Sequence, residues 1–126
     1  MITRLPAHYG DPTCASAVVA GGFVFLAHHT GDLALPGLAE QTRTCLEAVR
    51  GTLERAGGGL SSLVQVTMWV RELPSDEVRA AWDVFGELLG DGPPARMTAT
   101  TAFFDPRCRV MLDGVAYVGD ARLPVG

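Results

Sequence analysis

Short apolar runs alternate along the chain with two longer stretches in which apolar residues recur every three or four positions, and this order lays out the elements. Ala17 to Ala27, AVVAGGFVFLA, is split by Gly21-Gly22 into two β-rich runs, which predicts a hairpin of two buried strands. In GLAEQTRTCLEAVRGTLERAGGG, Leu38, Thr42, Cys45, Leu46, Val49 and Leu53 fall at helical spacing, and the glycines at 57 to 59 supply a stop. Leu63 to Val70 reads as a third strand, with Val64, Val66, Met68 and Val70 on one side and Gln65, Thr67 and Trp69 on the other. Pro74-Ser75-Asp76-Glu77 opens a second helix, whose stripe of Val78, Ala81, Trp82, Phe85, Leu88 and Leu89 runs up to Gly90-Asp91-Gly92. Arg96 to Phe103 and Val110 to Val118 complete the pattern as two strands separated by a turn at Asp105-Pro106.

The predicted order is therefore ββαβαββ, an α+β arrangement with a mixed sheet and two helices on one face. Its other face needs cover, because these strands are too apolar to sit in water. Oligomerisation through that bare face is the simplest expectation.

Composition narrows the reading. A chain of 126 residues with 48% apolar and 19% charged positions suits one ordered domain over 1–126. A net charge of -4, with ten basic residues scattered from Arg4 to Arg122, offers no stripe for a phosphate backbone, so nucleic acid is not an expected partner. All ten are arginine, which removes mechanisms that need a lysine Schiff base, pyridoxal phosphate enzymes among them. The start, MITRLPAHYGDPT, lacks the pattern of a signal peptide, and no apolar run approaches the roughly 20 residues of a membrane span. A cytoplasmic protein with no membrane partner is expected. Cys14, Cys45 and Cys108 are odd in number and lack the spacing of a zinc site or disulfide framework, so free thiols are expected.

Two segments carry a resemblance. EQTRTCLEAVRGTLERAGGGLSSLVQVTMWVREL and PPARMTATT resemble the Rid/YjgF family, the second through its Pro-Ala-Arg at the start of a strand. The similarity covers nearly the whole chain and is strongest from Gly37 to Thr101. It implies a chorismate-mutase-like fold, a homotrimer packed sheet against sheet, and intersubunit clefts in which reactive enamines and imines are hydrolysed to ketoacids and ammonia. It also implies that Arg96 anchors the carboxylate of a small anionic metabolite, a task suited to a planar guanidinium that gives two parallel hydrogen bonds.

The sequence departs from the family pattern at several positions. Where the family shows Glu-x-Glu-Ala on the last strand, this chain reads VMLDGVAY, so Met111 stands at the first acidic position and Asp113 at the second. A thioether cannot move a proton. Cys14 falls near the position of a family tyrosine, and Ala27, His28 and His29 overlie a Ser-Gly-Gln segment.

Histidine exchanges protons near neutral pH, so His28 or His29 is a candidate replacement for the missing acid, and alternation sends the two to opposite faces. Asp113, one pleat beyond Met111, is the other proton-handling candidate, with a structural pair to Arg109 as the competing account. Arg96, Thr98 and Thr100 share a strand face. Cys14 and Met111 are expected as pocket wall, and the backbone near Ala27 and Cys108 as donors to developing charge. Tyr9 is placed near the cleft if the first segment folds over it, and Trp69 and Trp82 are expected to pack. The function that the resemblance implies, with these residues in those roles, is hydrolysis of an enamine, an imine or a related C–N bond without a metal or organic cofactor, in a specialised biosynthetic setting. The alternatives are a non-catalytic metabolite-binding trimer and a tailoring hydrolase or cyclisation enzyme of secondary metabolism.

Overall fold

The computed structural model describes residues 1–7, 10–73 and 75–119. Along them run β1 (Ile2–Pro6), β2 (Ala15–Ala20), β3 (Phe23–Thr30), α1 (Leu38–Arg55), a 3-10 turn (Leu60–Ser62), β4 (Leu63–Val70), α2 (Ser75–Leu89), β5 (Ala95–Thr100) and β6 (Val110–Tyr117). The strands make one sheet in the order β1-β2-β3-β6-β4-β5. Every pair is antiparallel except β4 with β5, which α2 connects as a crossover. The Pro74 start predicted for α2 lies outside the described residues.

The α+β arrangement with a mixed sheet is as expected, with one added strand. β1 is absent from the ββαβαββ expectation because ITRLP is short, is interrupted by the adjacent polar residues Thr3 and Arg4, and is closed by a proline. Pairing with β2 from Ile2↔Ala20 to Pro6↔Ala15 makes it a strand, and Pro6 sits at its end, where a missing N–H costs little. The β2–β3 hairpin turns at Gly21 and Gly22, with φ of 57° and 83°, the left-handed pair that a two-residue turn requires. β4 also differs in detail. A register shift between Leu63 and Gln65 breaks its alternation, so Val64 is exposed instead of sharing a face with Val66.

Both helices cover one face. Leu46, Val49 and Leu53 of α1 and Val78, Ala81 and Phe85 of α2 close over Val24, Val66, Met68, Val110 and Leu112 of the sheet, all of them buried. Cys45 belongs to this core, as its place on the helical stripe predicts. α1 stops where Gly57 adopts φ 93° and the Gly58 N–H reaches back 2.8 Å to the Leu53 carbonyl. The other face carries no helix. On it Phe23, Phe25, Met97 and Tyr117 stay between 42% and 59% exposed, a share of apolar surface that a sheet in water would not keep open.

Candidate active site

The β4–β6 register pairs Thr67 with Asp113 and Trp69 with Met111, which puts these four on the helix-free face. Asp113 is part-buried there and needs a donor. The Trp69 indole supplies it, Nε1 to Oδ2 at 2.9 Å. His28 of β3 brings Nε2 to 3.8 Å from the same oxygen. Beside them a cavity of about 420 Å³ is lined by His28, Trp69, Thr101, Ala102, Phe103, Phe104 and Met111. Its wall is largely aromatic and aliphatic, and its ionisable groups are one imidazole and the neighbouring carboxylate.

Of the two adjacent histidines, only His28 is in this group. His29 is 1% exposed on the helix side, with Nδ1 donating to the Ala27 carbonyl at 2.7 Å and Nε2 lying 2.8 Å from Thr52 Oγ1 of α1. A carbonyl can only accept, so Nδ1 carries a hydrogen, and the Thr52 hydroxyl bonds the other ring nitrogen. The opposite-face expectation for the pair thus holds.

Arg96 lies elsewhere. It pairs with Val66 across β4–β5, three residues and about 10 Å back along the strands from the Trp69 row and on the helix side. Its guanidinium carbon stacks 4.9 Å from the Trp82 ring and 5.1 Å from the Phe85 ring, while Trp82 Nε1 donates to Thr98 Oγ1 at 3.1 Å. Desolvation pulls its pKa down from the usual arginine value, and an arginine in this setting stays a cation. Arg96 makes no hydrogen bond or ion pair to any described residue. The shared face predicted for Arg96, Thr98 and Thr100 is present, but within one chain it is not the face of His28 and Asp113.

The remaining candidates separate as well. Met111 lines the cavity. Cys14 is exposed in a different groove, between β1 and the segment ahead of β2, with Sγ 3.2 Å from the Ala15 carbonyl. The Ala27 carbonyl is occupied by His29. Cys108 is buried, its thiol pKa raised chiefly by desolvation, and its carbonyl accepts from Arg71. Arg109 bonds Glu77 and the Pro36 carbonyl, so the expected alternative partner of Asp113 is engaged elsewhere and Trp69 takes that role. Tyr9 lies outside the described residues.

Two contributors escaped sequence reading. Trp69 looked like packing, although its alternation with Gln65 and Thr67 already put it on the more polar strand face. Arg71 donates to the Asp105 and Cys108 carbonyls at 2.9 to 3.2 Å and stacks 5.5 Å from Phe103, so it holds the loop that forms one wall of the cavity. No local sequence signal marks that role, since its partners lie more than thirty residues away.

A six-stranded mixed sheet with one helix layer, and a cavity opening on its bare face, defines an α+β fold of the YjgF type. Residues 6–118 match the family described as Endoribonuclease L-PSP, and the chain belongs to this YjgF/Rid family. A RutC family protein of Pyrococcus abyssi is 26% identical over 109 residues, covering 82% of this chain and 84% of the relative. The mitochondrial protein mmf2 of Schizosaccharomyces pombe is 29% identical over 105 residues, 77% of this chain and 82% of the relative. Among solved structures, Rv2704 of Mycobacterium tuberculosis, a member of the YjgF/YER057c/UK114 family, superposes with a TM-score of 0.83 at 24% identity. That superposition covers 94% of this chain and all of the other. At that identity the likeness is one of fold. No described helix is long and apolar enough to cross a membrane.

Proposed function

We propose that this chain is a cytoplasmic, cofactor-independent hydrolase of a reactive imine or enamine, working in clefts between the subunits of a homotrimer. The observation that carries the reading is a division of labour. His28, Asp113 and Trp69 converge on an apolar cavity on one face, while Arg96, a stacked guanidinium with no polar partner among the described residues, waits on the other. One chain cannot bring both halves to one small substrate. A neighbouring subunit supplies the missing half in this reading.

Arg96 binds the carboxylate, and the aromatic wall takes the carbon side chain. A water held by Asp113 and His28 adds to the C=N carbon as a proton passes to nitrogen. The carbinolamine then collapses to a carbonyl and ammonia. Such a substrate needs little beyond orientation and one proton transfer. The family's name points to RNA cleavage, but a chain with a net charge of -4 and, among the described residues, no arginine lining the cavity suits a phosphate backbone poorly.

Ammonia release from freshly generated 2-imino acids is the direct assay, and Arg96→Ala and Asp113→Asn are each expected to abolish acceleration. When subunits of the two variants are unfolded and refolded together, random mixing rebuilds about a quarter of the intersubunit sites and the corresponding activity. Full silence of the mixture, with each variant folded, would sink the shared site. A non-catalytic metabolite-binding trimer is the second reading. It is favoured by the thioether of Met111 in the cavity, and saturable ligand binding without ammonia release would establish it.

A further inference from the structure

The tandem histidines raise a question of register. Val24 and Leu26 of β3 face the helices, opposite Ala116 and Gly114 of β6. In an unbroken strand that phase continues, sending His28 under α1 and His29 into the cavity. The ladder does not continue in that way. It resumes at His29↔Leu112, so Ala27 and His28 together stand opposite Asp113 alone. Two residues against one is a β-bulge, and its effect is to exchange the faces of the two histidines. His28 becomes exposed beside Asp113, and His29 falls to 1% exposure.

We propose that His29, braced by Thr52, is the positioning residue that holds this bulge and thereby selects His28 as the histidine of the site. This rests on the functional reading above for what His28 does, and on the register alone for how it is aimed. A bulge interrupts the strand's hydrogen-bond ladder, and the Ala27 carbonyl within it is taken by Nδ1 of His29 at 2.7 Å. The ring is fixed at its far side by Thr52 Oγ1, on a helix residue itself 1% exposed, and the His29 carbonyl accepts from the Cys45 thiol at 2.9 Å. The bulge is thus tied to two points on α1, about two turns apart. Either register would put an imidazole in the cavity. In the bulged one the buried imidazole is held by Thr52 and the carbonyl of the same residue by Cys45.

The test uses the whole protein. Thr52→Val removes the hydroxyl at constant volume and Thr52→Ser restores it, while His29→Leu removes the Nδ1 donor and His29→Asn keeps an amide donor near its place. Nuclear Overhauser contacts from the residue 28 ring to Trp69, and the Trp69 indole N–H resonance, report the register without reference to turnover. The proposal expects Thr52→Val and His29→Leu to lose the contacts from His28 to Trp69. It also expects kcat to fall by about tenfold to a hundredfold with KM nearly unchanged, and Thr52→Ser and His29→Asn to recover most of both. A lowered melting temperature with His28 still against Trp69 and kcat intact would overturn it, leaving His29 a packing residue. If the contacts shift as expected but His28→Ala has wild-type activity, the bulge clamp stands and the catalytic assignment of His28 falls.

Discussion

Asp113 owes its place to a cross-strand neighbour. On the helix-free face a part-buried carboxylate without a donor would carry a desolvation penalty of about 1 to 3 kcal/mol, and the Trp69 indole offsets it while leaving the second oxygen open. Trp69→Phe keeps the ring and removes the donor. Turnover should drop several-fold in steady-state assays, with the melting temperature lowered by only a few degrees. The cysteines make a second case at this scale. Burial lifts the Cys45 thiol far above its ordinary value and raises Cys108 as well, whereas Cys14 is exposed. Titration of the native protein with a disulfide reagent near neutral pH should modify Cys14 alone, and all three thiols only after denaturation.

At the scale of elements, the β4–β6 ladder depends on a residue without a side chain. A Cβ at Gly114 would run into the Gln65 carbonyl oxygen and lie 3.0 Å from Val66 Cα, both backbone atoms that cannot turn aside. Gly114→Ala should therefore cost about 1 to 3 kcal/mol in urea unfolding and disturb Asp113 next to it. The loop from Thr101 to Arg109 is held by charge as well as by Arg71. Hydrogen bonds from the Arg107 side chain, and then its backbone N–H, hold the Asp105 carboxyl down to about 2. A carboxylate with a depressed folded pKa contributes stability above its unfolded pKa and loses it as pH falls through the folded value. The acid unfolding limb between about pH 4 and 2 should therefore flatten in Asp105→Asn, as followed by circular dichroism.

For the whole molecule, the governing fact is a sheet with one covered face. Phe23 and Tyr117 lie 5.1 Å apart between ring centroids and are about half exposed, together with Phe25 and Met97. Burial of such a surface is what a trimer packed sheet against sheet provides, and sedimentation equilibrium should return three times the 13.3 kDa chain. A monomer at micromolar concentration would remove the basis for a shared site. Phe25→Asp, which puts a charge on the bare face outside the cavity lining, should shift the protein toward monomers and lower activity in proportion.

Helical periodicity, the Gly-Gly turn and β-rich runs determined from sequence alone both helices, the hairpin and the strands β4 to β6, because each is encoded by a repeat of a few residues. The Pro-Ala-Arg segment likewise carried the family, and alternation carried the separation of His28 from His29. What only the tertiary structure decided depends on partners far along the chain. Pairing with β2 makes a strand of Ile2–Pro6, and the bulge chooses His28 over His29. The β4–β6 register brings Trp69 to Asp113, and the crossover through α2 leaves Arg96 on the face opposite them. A sequence shows which residues alternate. Which of the two faces meets the helices is fixed by register and burial, and at β3 a single extra residue reversed that assignment.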